Sequence, residues 1–101
     1  MYNISMGQHK YEVFKINGQR FVVKMDLNPL TNKFEYHMYI RHLIMPQQAI
    51  AAYFAKTTDV YNPDYDRNEL YSEKFNITVY YKKISPDILL ISAFYEGGNY
   101  D

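Results

Sequence analysis

The chain has no cysteine and no tryptophan, only four glycines and four prolines, and no net charge, since eleven basic residues balance eleven acidic ones. The lack of cysteine rules out disulfides, thiolate catalysis and cysteine-ligated zinc, and points to a cytoplasmic location. The scarce glycines form no phosphate-cradling loop, and no GxSxG motif gives Ser72, Ser85 or Ser92 the setting of a nucleophile. A dedicated nucleic-acid binder usually carries a basic excess, so at zero net charge any such surface must be a local patch. Long apolar runs are also missing. Ile88 to Ile91 is far too short to cross a bilayer, and Met1 to Gly18 does not read as a secretory signal. No membrane partner is expected.

What remains is the composition of one small domain. At 101 residues and 48% apolar content, the chain fills a single modest core, with residues 95–101 expected as a loose tail around Gly97-Gly98. Aromatics reach 18%, twelve of them tyrosine, whose ring buries while its hydroxyl seeks a polar partner. Abundant Tyr, Asn, Lys and Ile suggest an AT-rich genome, such as that of a phage, mobile element or low-GC bacterium.

The patterning begins with Lys10 to Ile16 and Arg20 to Asp26, which flank Asn17-Gly18. That dipeptide suits a type I′ turn, because both central residues need positive φ. A two-residue loop sets Phe14 opposite Phe21, Glu12 opposite Val23 and Lys15 opposite Arg20, so Phe14, Ile16, Phe21 and Val23 point inward. Leu27 to Lys33 reads as a loop around Asn28-Pro29. Phe34 to Ile44 fits a strand or a helix; in both, His37 and Arg41 share a face and His42 points elsewhere. Pro46 to Lys56 predicts a helix, with Pro46 in its first turn and Ile50, Tyr53 and Phe54 as its apolar stripe. Asp59 to Tyr71 reads as a polar, tyrosine-rich loop. Lys74 to Ile84 alternates as a strand, Ser85-Pro86-Asp87 turns the chain, and Ile88 to Tyr95 is apolar on both faces, as a central strand is. Phe54 and Ile91 are expected in the core. Together these elements predict an α+β domain: an antiparallel sheet built from two hairpins, with one main α-helix packed on one face.

Three constellations could carry chemistry. In His37-Met38-Tyr39-Ile40-Arg41-His42, a co-facial imidazole and guanidinium suit phosphodiester chemistry; the same spacing also describes the polar face of an amphipathic element. In Tyr80-Tyr81-Lys82-Lys83, tyrosine can stack on a base and lysine can bind phosphate, although an ordinary strand looks the same. Between Tyr61 and Tyr71, the rings of Tyr61, Tyr65 and Tyr71 could form a protein-recognition surface or pin the loop to the sheet. The three histidines His9, His37 and His42 match no metal-ligand spacing, so neither metal nor organic cofactor is expected.

From about His37 to Tyr95 the chain resembles the Barnase–EndoU–colicin–RelE superfamily of small ribonucleases, in the segments His37 to His42, Val79-Tyr80-Tyr81-Lys82-Lys83-Ile84 and Leu89-Leu90-Ile91-Ser92-Ala93-Phe94-Tyr95. The resemblance implies a toxin or effector that cleaves RNA without metal, the 2′-hydroxyl attacking the adjacent phosphate. It implies His37 as the proton-transfer group, Arg41 as the phosphate clamp and Tyr81 beside them, with His42, Lys82 and Lys83 as substrate contacts. The N-terminal hairpin lies outside the match. A second functional class stays open: a non-catalytic module, such as an immunity protein, an antitoxin or a phage inhibitor of a host enzyme, that holds a cognate protein through Tyr61, Tyr65 and Tyr71.

Overall fold

The structure, a computed structural model, describes residues 3–6 and 9–97, with side chains from residue 10 onward. The chain runs through β1 (Asn3–Met6), β2 (His9–Ile16), β3 (Gln19–Asn28), β4 (Lys33–Tyr36), α1 (His37–His42), α2 (Pro46–Phe54), β5 (Thr58–Asn62), β6 (Arg67–Ser72), β7 (Ile77–Ile84) and β8 (Asp87–Tyr95). Most of the expected tail, residues 98–101, lies outside the described residues.

The first hairpin forms in the expected register, with Phe14 opposite Phe21, Glu12 opposite Val23 and Lys15 opposite Arg20. Its turn takes positive φ at Asn17 (53°) and Gly18 (78°), as a type I′ turn requires. The α+β class holds, but the sheet is larger than two hairpins. Among the described residues it has eight strands in the order β1-β2-β3-β8-β7-β6-β5, with β4 paired to β3 off this path, and two helices accompany it. Nor is it purely antiparallel, since Arg20–Val23 pairs in parallel with Asp87–Leu90. Alternation shows that a segment is a strand and which face it buries. It does not choose the neighbour.

One segment read as a loop is a hairpin, and another is shorter than expected. Asp59 to Tyr71 contains β5 and β6, joined by a turn in which Asp66 has φ 50° and the Asp64 amide donates to the Asn62 side chain. The strand pattern was hidden because β5 ends the sheet and is exposed along nearly its whole length. Asn28-Pro29 does open a turn, but β3 runs through Asn28 and β4 begins at Lys33. The ambiguous segment is both things in turn, strand to Tyr36 and helix from His37.

One edge of β3 is used twice. Arg20–Val23 pairs with β8, and Met25–Asn28 pairs with β4. Helix α1 follows directly from β4, packs against β3, β4 and β8, and so fills the seam where β4 and β8 diverge. Its Met38 enters the core while His37 and His42 remain half-buried. The helix stops at Leu43, whose positive φ (59°) turns the chain so that the Ile44 amide reaches back to the Met38 carbonyl.

The core lies between the sheet and α2. Ala49, Ile50 and Ala52 of the helix meet Phe21, Val23, Leu70, Val79, Tyr81 and Leu90 of the sheet. Two expected core residues are elsewhere. Phe54 packs edge-on against Phe21 but stays 46% exposed at the helix end, and Ile91 faces a surface pocket. Among the described residues, no helix is long and apolar enough to cross a membrane.

Candidate active site

The face of the sheet opposite α2 carries a pocket of about 470 Å³ lined by His37, His42, Arg67, Tyr80, Ile91, Ser92 and Phe94. Strand alternation accounts for most of this set. β7 sends Ile77, Val79 and Tyr81 into the core and turns Tyr80 to the other side. In β8 the register slips: Tyr80 pairs with Ser92 but Tyr81 pairs with Leu90, leaving Ile91 as an extra residue. Such a bulge re-aims side chains, and here Ile91, Ser92 and Phe94 all reach the pocket.

His37 is held by β3. Its Nδ1 lies 2.6 Å from Oδ2 of Asp26, whose other oxygen is 3.5 Å from Lys24 Nζ. With Nδ1–H given to the carboxylate, Nε2 of the neutral ring is left with its lone pair. His42 leans on the Phe94 ring, with centroids 5.7 Å apart. The helix thus spans from an anchor on β3 to an anchor on β8, and both imidazoles reach the pocket between them. His42 was expected to point away from the face of His37, yet both rings line this pocket. Arg41, the expected clamp, is exposed and does not line the pocket.

Arg67 occupies the position expected of Arg41. Its guanidinium lies 4.4 Å from the Tyr65 ring centroid and 3.8 Å from that of Tyr80, and its Nε donates to Glu69 Oε2 at 2.9 Å. Hydrogen bonds from Asn62 and then Arg67 hold the Glu69 carboxyl below its usual range, so the anchor stays ionised. A planar cation fixed in this way suits bidentate capture of a phosphate.

The other expected site residues are scattered. Tyr81 is only 1% exposed, packs against Tyr53 and donates its hydroxyl to Asp59, so it cannot meet a substrate and its catalytic role is withdrawn. Burial, with Asp59 second, pushes the Tyr81 phenol well above its ordinary value. Lys82 pairs with Asp66, and Lys83 is exposed; neither lines the pocket. Tyr61 and Tyr65 are exposed, whereas Tyr71 is half-buried and hydrogen-bonded to Asn76. Among the described residues, no three His, Asp or Glu side chains gather as a metal-ion cluster.

Asp26, Arg67, Tyr80, Ser92 and Phe94 were not singled out together because they come from four strands. Only the pairing of β6 with β7 and of β3 with β8 brings them onto one face. The Tyr80 side of β7 was the one local signal. Comparison with protein-family models, curated proteins and solved structures finds no match to this chain.

Burial, then the neighbouring charges of Arg41 and His37, pushes the His42 ring below its usual 6.5. The folded state therefore takes up a proton at His42 less readily than the unfolded chain. Its stabilising contribution is complete above about pH 6.5 and is lost as pH falls through the lower folded value. Thermal melts should show Tm falling between about pH 7 and pH 5, and falling less in His42→Asn, which has no proton to gain. Identical slopes in the two proteins would contradict this placement of His42.

Proposed function

We propose that the chain is a metal-independent endoribonuclease whose centre is the His37 pocket, acting as a toxin or effector. The observation that carries this reading is a single one: an imidazole oriented by Asp26 shares a pocket with a second imidazole and with a clamped arginine. The resemblance of His37 to His42 to the small ribonuclease toxins points the same way.

In this reading the phosphate of the scissile linkage sits on Arg67. One imidazole takes the proton of the 2′-hydroxyl as its oxygen bonds to phosphorus, and the other gives a proton to the departing 5′-oxygen as that P–O bond breaks. His42, whose burial favours the neutral ring, is suited to accept; His37, in its doubly protonated form, keeps Nδ1–H on Asp26 and gives its Nε2 proton to the leaving oxygen. Arg67 offsets the charge that develops on the phosphoryl oxygens. The products are a 2′,3′-cyclic phosphate and a free 5′-hydroxyl.

The test is direct. Purified chain incubated with end-labelled single-stranded RNA in excess chelator should cut it, and induced expression should arrest the host cell. A folded chain that leaves the RNA intact and the host unharmed overturns the proposal.

One observation favours the binding-module alternative. β5 closes the sheet as an edge strand, with Val60 64% and Tyr61 52% exposed, and Tyr65 stands in the turn beside it. An open edge of this kind can accept a partner strand. In that case Tyr61 and Tyr65, more than the half-buried Tyr71, are the residues whose replacement by alanine should break capture of the cognate protein.

A further inference from the structure

We infer that the ligand of the pocket is single-stranded nucleic acid, its unpaired bases stacking along a row of planar side chains that crosses the open sheet face. The inference takes its site from the ribonuclease reading and adds the form of the substrate. The row starts at Tyr65, 69% exposed, and continues to Arg67, Tyr80, Phe94 and His42. Each group touches the next: Arg67 lies between the Tyr65 and Tyr80 rings, Tyr80 meets Phe94 at 5.2 Å between centroids, and Phe94 meets His42 at 5.7 Å. The end at His42 lies in the pocket that holds His37, so a strand bound along the row delivers a linkage to the proton-transfer groups.

Charge argues against a duplex. A double helix hides its base faces and is gripped through its phosphates, which demands a basic surface. This chain has no net charge, and Arg67 in the row and Lys82 of β7 are each tied to an acid, Arg67 to Glu69 and Lys82 to Asp66. Stacking needs no such excess, because every unpaired base presents an apolar face to an aromatic ring or to a guanidinium plane. Recognition by stacking with one phosphate clamp reconciles a neutral chain with a nucleic-acid substrate.

Binding can be measured by fluorescence anisotropy with a short labelled 2′-O-methyl RNA, which this chemistry cannot cut, as a single strand and as the matched duplex. The single strand should bind at least about tenfold more tightly, and because one phosphate is clamped its affinity should fall only about as the first power of salt concentration. Tyr65→Ala and Phe94→Ala should each weaken it by roughly 5- to 100-fold, the cost of one stacked base. Phe94→Leu keeps an apolar side chain in place and should show the same loss, which separates stacking from misfolding. Equal affinity for the duplex, no binding of either form, or unchanged affinity in both Tyr65→Ala and Phe94→Leu would overturn the inference. Single-strand binding without cleavage of ordinary RNA would instead strike the ribonuclease reading and leave the stacking row standing; cleavage of duplex and single strand alike would do the reverse.

Discussion

His37→Ala should lower the rate of RNA cleavage by about 10²–10⁴-fold, the usual cost of losing a general acid–base group. The fold should tolerate the change. The His37 side chain is half-buried at the start of α1 and outside the core, and Asp26 keeps Lys24 as a partner in its absence. Single-turnover kinetics beside a thermal melt separate the two effects. Arg67→Ala should act in the same direction through loss of the phosphate clamp, and Arg67→Lys should recover little, since a lysine cannot sit flat between Tyr65 and Tyr80. Arg41→Ala, by contrast, should leave the rate close to wild type, because Arg41 lies outside the pocket. A large loss in Arg41→Ala with a small one in Arg67→Ala would reverse the assignment of the clamp.

Tyr81→Ala should destabilise the domain by about 3–5 kcal/mol, as truncation of a buried aromatic does. The ring fills the space between β7 and α2, where it meets Tyr53 edge-on, and its loss also strips Asp59 of a hydrogen-bond donor. Phe54→Ala should cost clearly less, since that ring is 46% exposed. Urea melts of the two variants test the order. Equal losses would mean that the core does not sit under β7 as described. Tyr81→Phe adds a functional check: it keeps the ring in the core, so cleavage per folded molecule should match wild type, whereas a catalytic phenol would not survive the change.

Local signals in the sequence were enough for local structure. Asn17-Gly18 specified the register of the first hairpin, Pro46 marked the start of α2, and the alternation of Lys74 to Ile84 marked β7 as a strand. Where tertiary pairing decides, the sequence was silent. Nothing in Arg20–Val23 announces a parallel neighbour 67 positions away, and an edge strand such as β5 shows no apolar alternation because both its faces meet water. The candidate site divides along the same line. His37 was found because its neighbours in sequence already suggested chemistry. Its orienting carboxylate, Asp26, and the clamped Arg67 were missed because they approach from β3 and β6. Arg41 was favoured by its four-residue spacing from His37 and by the resemblance, and it does not line the pocket that opens between the β3 and β8 anchors of α1.

The ribonuclease assignment rests on a 2′-hydroxyl as the attacking group, and one measurement addresses that step. Two single-stranded RNAs of the same sequence, one carrying a 2′-deoxy residue at the cut site, are incubated with purified chain in chelator and their products resolved by mass spectrometry. The all-RNA strand should yield a 2′,3′-cyclic phosphate and a 5′-hydroxyl, and the substituted strand should stay whole at that position. Cleavage of both strands, or of neither, would contradict the mechanism assigned to the His37 pocket.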